Sequence, residues 1–126
     1  MQLRLALCIT GYLRTFHYQD VHQNILDFAL NLTNNTDIFA VVSSGYGDSL
    51  KGMQNSPVTP LYVKKRIPNW FEFSGHVNNK LQICFSIIKQ KELYDEFVYN
   101  WIITIRPDVV YRNIPNLWLQ LSLIHI

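Results

Sequence analysis

The feature that most constrains the fold is a nearly continuous apolar run over residues 3–10, which ends at Gly11. The run is too short to span a membrane, and no small-residue cleavage site follows it, so it fits neither a membrane helix nor a signal peptide. A strand that is apolar at almost every position is typical of burial on both faces of a parallel sheet. We therefore predict that residues 3–10 form a buried first strand.

Two segments have helical patterns. Val21, Ile25 and Phe28 recur at helical spacing and predict an amphipathic helix over residues 19–32. A second helix is predicted to begin at Asn78 or Asn79, because asparagine is a favoured N-cap, and to reach about residue 97. Its predicted apolar stripe consists of Leu81, Cys84, Phe85 and Ile88.

Apolar runs predict three further strands, at residues 37–43, 61–63 and 101–105. The last run ends before Pro107, which lacks the backbone N–H that a sheet requires. Residues 44–60 hold most of the turn formers and predict a long loop, a class that often carries function. Residues 67–75 predict a loop rich in aromatic side chains, with Trp70, Phe71 and Phe73.

This order of elements predicts an α/β fold with a mostly parallel sheet and flanking helices. Right-handed crossovers put the first strand at the centre, with the fourth strand on its other side. The order of the strands then reverses between these two, and ligands of such sheets bind there, outside the carboxyl ends of the strands. The segments predicted to converge at this point are Gly11-Tyr12-Leu13-Arg14-Thr15 and Arg106-Pro107-Asp108.

Composition excludes several classes of protein. The chain has 126 residues, of which 48% are hydrophobic and 16% charged, so it can bury a core and is not a disordered chain. A net charge of +2 is too small for a nucleic-acid-binding surface, and we expect no nucleic-acid partner. Cys8 and Cys84 form neither a C-x-x-C pair nor a zinc-site spacing, and both are expected to be buried thiols.

The loop after the first strand carries four candidate binding residues. Gly11 allows a close approach of the backbone to a ligand, although an ordinary strand-ending turn explains it as well. Arg14 lies where the loop meets the next helix, and there a guanidinium is suited to bind phosphate; the alternative is a surface arginine whose stem packs on the fold. Tyr12 and Thr15 belong to the same loop.

Asp108 directly follows the fourth strand, so its carboxylate is predicted to face the ligand crevice, where it is suited to a hard cation that bridges a diphosphate. Arg106 lies two residues earlier, on the same side of an extended segment. It either contacts phosphate or forms a structural ion pair with Asp108. Gln82, near the start of the second helix, is a further candidate, for which the alternative is a solvated helix glutamine.

Three motifs together resemble a group of glycosyltransferases of the GT-A type. Residues 5–16, LALCITGYLRTF, resemble the opening motif of that group, and Asp37-Ile38-Phe39 matches the strand that follows its first helix. Residues 101–108, WIITIRPD, match a later motif, with Glu92 and Tyr94 in the stretch before it. The resemblance covers residues 3–111.

The resemblance implies a Rossmann-like domain that binds a nucleoside-diphosphate sugar through Gly11, Tyr12, Arg14 and Thr15 and transfers the sugar to an acceptor hydroxyl. Asp108 is then at the position of the Asp-x-Asp metal motif, but Arg106 replaces the first aspartate. One carboxylate remains for Mn²⁺ or Mg²⁺, so either Asp108 suffices together with the ligand phosphates, or Arg106 takes over part of the work of the cation.

The resemblance also implies that residues 1–120 are the N-terminal, nucleotide-sugar-binding part of an incomplete domain, and that the catalytic base lies in the missing acceptor half. Residues 121–126, LSLIHI, resemble a translated sequencing adapter and are expected not to be native. With neither a signal peptide nor a membrane anchor in view, a cytoplasmic location is favoured. The alternatives to an enzyme are a non-enzymatic α/β module that binds nucleotide or sugar, and an interaction domain that uses residues 70–73 as its contact surface.

Overall fold

The structure, a computed structural model, describes residues 4–33, 35–44, 59–74 and 77–109. Strands and helices alternate along these residues. They are β1 (Leu5–Tyr12), α1 (Gln19–Leu32), β2 (Thr36–Ser43), α2 (Leu61–Arg66), β3 (Asn69–Phe73), α3 (Lys80–Asp95) and β4 (Trp101–Ile105). Most of the long loop predicted at 44–60, and the suspected adapter at 121–126, lie outside the described residues.

The four described strands form one parallel sheet in the order β3-β2-β1-β4. This confirms the predicted α/β, Rossmann-like arrangement, with the first strand at the centre and the fourth on its other side. β1 pairs with β2 along its whole length, from Leu5 to Tyr12, but pairs with β4 only as far as Ile9. The carboxyl end of β1 therefore extends beyond the end of β4.

The helices cover the two faces of the sheet. Leu5, Leu7 and Ile9 of β1 pack against α1 and α2, while Ala6 and Cys8 of the same strand pack against α3. These five residues are fully buried, as expected for a strand covered on both faces. None of the helices in the described ranges is both long and apolar enough to cross a lipid bilayer.

The segment between β2 and α3 differs from the prediction. Residues 61–63 were predicted as a strand, but they form the first half of α2, in which Val63 is buried while Leu61 and Tyr62 are exposed. The predicted aromatic loop contains β3, whose Trp70 ring lies 5.9 Å from the ring of Phe16 in the core. Both elements are too short for their periodicity to separate helix from strand, and tertiary packing decides between them.

The predicted second helix is present as α3, but its end and its buried face differ from the prediction. Asn79 is the N-cap residue, but its side chain makes no capping hydrogen bond, and the helix ends at Asp95 because Glu96 adopts a left-handed conformation with φ of 56°. Of the predicted apolar stripe, Cys84 and Ile88 are buried, whereas Leu81 and Phe85 are exposed. The helix therefore contacts the sheet through a narrower face than the sequence indicated.

The expectation of two separate buried thiols is wrong, because Cys8 and Cys84 are joined by a disulfide. Both residues are buried, and the bond connects the centre of β1 to α3 across 76 residues of sequence. No local spacing rule indicates such a long-range pair.

We predict that reduction of this bond lowers the free energy of unfolding by about 4 kcal/mol, because the bond closes a long loop and so restricts the unfolded chain. Urea unfolding with and without a reducing agent measures the difference. The Cys8→Ala, Cys84→Ala double variant is the control and should not respond to the reducing agent. Equal urea midpoints of the parent chain under both conditions would contradict the prediction.

Candidate functional site

The two segments that the sequence directs to the reversal point of the sheet are in contact in the structure. β1 continues past the end of β4, so that Gly11 lies against the turn that contains Pro107. A Cβ atom at Gly11 would lie 3.3 Å from Pro107 Cδ, and the φ of Gly11 is 137°. The Thr15 hydroxyl donates to the Asp108 carbonyl oxygen at 3.4 Å, which is a second link between the segments.

Gly11 is therefore more than a strand-ending turn, because β1 continues through it to Tyr12. Its positive φ is one that other residues adopt only with strain, and its lack of a side chain lets Pro107 approach. The glycine fixes how closely the loops after β1 and β4 can meet.

Arg106 and Asp108 form a two-pronged ion pair. Nε of Arg106 donates to Oδ1 of Asp108 at 3.0 Å, and Nη2 donates to Oδ2 at 2.8 Å. The Asp108 side chain is only 10% exposed, whereas the Arg106 side chain is 64% exposed. The nearly buried carboxylate of Asp108 therefore holds the exposed guanidinium of Arg106 in a fixed orientation.

This pairing bears on the predicted metal site. Both oxygens of the Asp108 side chain accept hydrogen bonds from Arg106. The described ranges contain no group of three or more His, Cys, Asp or Glu side chains that could hold a metal ion. As arranged, the described residues do not fit Mn²⁺ or Mg²⁺, and Asp108 would first have to leave Arg106.

Arg14 and Lys80 bring two cations to the ring of Tyr12, the last residue of β1. The Arg14 Cζ atom lies 5.8 Å from the centroid of the ring, and the Lys80 Nζ atom lies 4.5 Å from it. Arg14 is exposed and has a φ of 44°, unusual for a residue with a side chain. The ring of His17, whose Nδ1 lies 3.0 Å from the Arg14 carbonyl oxygen, supports this conformation of the loop.

Lys80 is the residue at this edge that sequence reasoning missed. It lies in the first turn of α3, is only 8% exposed, and donates from Nζ to the Val77 carbonyl oxygen at 2.7 Å. Burial lowers the pKa of its ammonium group below the usual 10.5. The sequence feature that could have identified Lys80 is its place at the start of a helix, where the helix dipole disfavours positive charge.

The structure does not bring Gln82 to the Tyr12 ring. Gln82 is exposed, and it lies two residues after Lys80 in the same helix. Positions two apart in a helix do not share a face, so the two side chains leave α3 in different directions. Lys80 is the α3 side chain that contacts the end of β1.

Two sizeable cavities among the described residues lie elsewhere, at the amino ends of the strands. One of about 760 Å³ lies between Asn69 and the last turns of α3, and another of about 510 Å³ shares Asn69 and Lys91 with it. Two nearby pairs of polar side chains are bonded to each other. Lys91 bonds to Asp95, and the Tyr99 hydroxyl donates to Asp37 at 2.5 Å. Burial and this hydrogen bond raise the pKa of the Tyr99 hydroxyl above its usual value.

Comparisons with known proteins do not add to this geometry. No family model matches the chain, and no curated protein or solved structure matches it. The case for a function therefore depends on the residues at the carboxyl edge of the sheet and on the motifs that contain them.

We predict that Gly11→Ala lowers the free energy of unfolding by about 1–3 kcal/mol, because the new Cβ meets Pro107 and the positive φ becomes strained. Urea unfolding measures the loss. Thr15→Ser, which keeps the hydroxyl in the same loop, is the control and should stay close to the parent. A Gly11→Ala midpoint equal to that of the parent would show that the two loops separate at little cost.

We predict that Lys80→Met raises the free energy of unfolding at pH 7 by about 1 kcal/mol, because an apolar chain replaces a buried charge. The folded-state pKa of Lys80 is lowered, so the unfolded chain binds more protons between that pKa and 10.5, and parent stability rises with pH through this window. The advantage of the variant over the parent should therefore shrink as the pH approaches 10.5.

Urea unfolding of both chains across this pH range tests the difference. Lys65→Met, which replaces an exposed lysine of α2, should show neither the gain nor the pH trend. A Lys80→Met chain that is less stable than the parent at every pH would sink the prediction.

Proposed function

We propose that this chain is the nucleotide-sugar-binding part of a GT-A-type glycosyltransferase, which transfers a sugar from a nucleoside-diphosphate sugar to an acceptor hydroxyl. The observation that carries the proposal is the contact of Gly11 with Pro107, because it joins the two resembling motifs at the reversal point of a parallel sheet. Ligands of open α/β sheets bind at that point. A fold alone does not define an activity, so we infer the class of reaction from the motifs.

The residues at this edge suit a diphosphate. Arg106 is largely exposed, and its guanidinium is held in orientation by two hydrogen bonds to Asp108. An oriented guanidinium binds phosphate oxygens in two-pronged fashion, which a flexible lysine cannot do. Positive charge held at this point before reaction would stabilise the diphosphate that leaves when the glycosidic bond of the donor breaks.

Asp108 then acts by positioning Arg106. In the proposed site its carboxylate holds the guanidinium toward the ligand and is itself shielded from solvent. A metal would supply charge to the same diphosphate if Asp108 exchanged Arg106 for Mn²⁺ or Mg²⁺. The acceptor and the catalytic base are assigned by the resemblance to the acceptor half of the domain, not to any residue at this edge.

The proposal predicts that the 126-residue chain binds UDP- or GDP-sugars, and that Arg106→Met weakens binding by about 10- to 100-fold, the loss expected for hydrogen bonds to a charged group. Isothermal titration calorimetry over a panel of donors measures both. Asp108→Ala should weaken binding as well, because Arg106 loses its orientation. Arg66→Met is the matched control, since Arg66 is an exposed arginine of α2. The absence of binding across the panel would overturn the proposal.

One observation favours a second candidate, a non-enzymatic module that binds nucleotide in the same crevice. The carboxylate predicted to hold a metal is neutralised by Arg106, which leaves an edge better suited to binding anions than to metal-assisted transfer. A hydrolysis or transfer assay on the bound donor separates the two candidates. Turnover that Arg106→Met removes would support the enzyme and contradict the module, whereas the module requires that turnover stay absent even when an acceptor half is supplied.

A further inference from the structure

We propose that Lys80, together with Arg14 at the ring of Tyr12, forms a diphosphate-binding site that works without a metal ion. This inference rests on the proposed function and deepens it, because it states which groups neutralise the diphosphate. Lys80 lies outside the three motifs that carry the resemblance, and the structure brings it to the site.

The Lys80 ammonium group is a buried charge without a carboxylate partner in the described ranges. Lys80 is more than nine-tenths buried, and no carboxylate in the described part of the chain lies within ion-pair distance of its ammonium group. Its contacts are the Val77 carbonyl oxygen and the face of Tyr12. Lysine is almost never buried without a charged partner, because desolvation of the ammonium is costly. A bound anion would supply that partner.

Cations from separate segments of the chain converge at the ring of Tyr12. Arg14 comes from the loop after β1 and Lys80 from the start of α3, and both lie within 6 Å of the Tyr12 ring centroid. Tyr12 follows Gly11, which contacts the turn that carries Arg106. Like charges gathered at one edge repel each other unless a ligand of opposite charge joins them. A diphosphate carries several negative charges along its length, so one ligand can contact several cations at once. A ligand with a single carboxylate group would contact fewer of them.

The carboxylate predicted to bind a metal ion is already bonded to Arg106. Divalent cations neutralise bound diphosphates through carboxylate oxygens, and those of Asp108 are held by Arg106. Lys80 and Arg14 supply positive charge without that carboxylate. The turn of α3 that carries Lys80 is also tied to the sheet, because Cys84, one helical turn further along, is disulfide-bonded to Cys8 of β1. A cation fixed before the ligand arrives binds with less loss of entropy.

Calorimetry on the full 126-residue chain in EDTA tests the inference, with inorganic pyrophosphate and UDP as probes. Both probes should bind, and Lys80→Met should weaken both by at least about tenfold, the effect of losing one charge-assisted contact. Added Mg²⁺ or Mn²⁺ should not tighten binding. Lys65→Met is the control, and urea unfolding verifies that each variant is folded. Arg14→Met should also weaken the binding of both probes. Because Arg14 is exposed, this second variant does not disturb the core.

The possible outcomes separate the further inference from the proposed function. UDP that binds only with a divalent cation, or that binds Lys80→Met as tightly as the parent, overturns the inference and leaves the proposed function standing. Pyrophosphate that binds through Lys80, with no binding of UDP or of any nucleotide sugar, supports the anion site and overturns the proposed function. Failure of every probe to bind overturns both.

Discussion

The structure depends on the burial of β1, which is paired on both edges and covered on both faces. Its neighbours β2 and β4 run parallel to it, and its residues Leu5–Ile9 are fully buried. Because all the described strands share its direction, their carboxyl ends meet at one edge. β1 extends past β4 there, so the loops that follow the two strands meet at Gly11 and Pro107. The position of the candidate site is thus a consequence of strand order and strand length.

The same burial explains which parts of the fold can be predicted from the sequence. A strand covered on both faces is apolar at nearly every position, so β1, β2 and β4 are visible as short apolar runs, and α1 shows a one-sided helical pattern. The segment of α2 and β3 has no such signal. There the contact of Trp70 with Phe16 and the burial of Val63 decide the structure, and both depend on residues distant in sequence.

Some parts of the candidate site can likewise be predicted from the sequence, and others cannot. The loops after β1 and β4 can be predicted, because topology alone brings them to the point where the strand order reverses. The role of Asp108 could not be settled from the sequence, since the same spacing allows a metal ligand or an ion pair, and the structure shows it bonded to Arg106. Lys80 and the Cys8–Cys84 bond were missed because they depend on the rotational phase of α3 against the sheet. A narrow apolar stripe does not define that phase.

The disulfide and the buried lysine are linked by the geometry of α3. Burial of the Lys80 ammonium costs free energy, and the start of a helix adds to that cost. Left to itself, the first turn of α3 would reduce the cost by moving Lys80 toward solvent, away from Tyr12. Cys84 lies one turn further along and is bonded to the central strand, which limits that movement. The bond therefore limits how far this turn of α3 can move from the carboxyl edge, where the proposed anion site needs the Lys80 ammonium group to remain beside Tyr12.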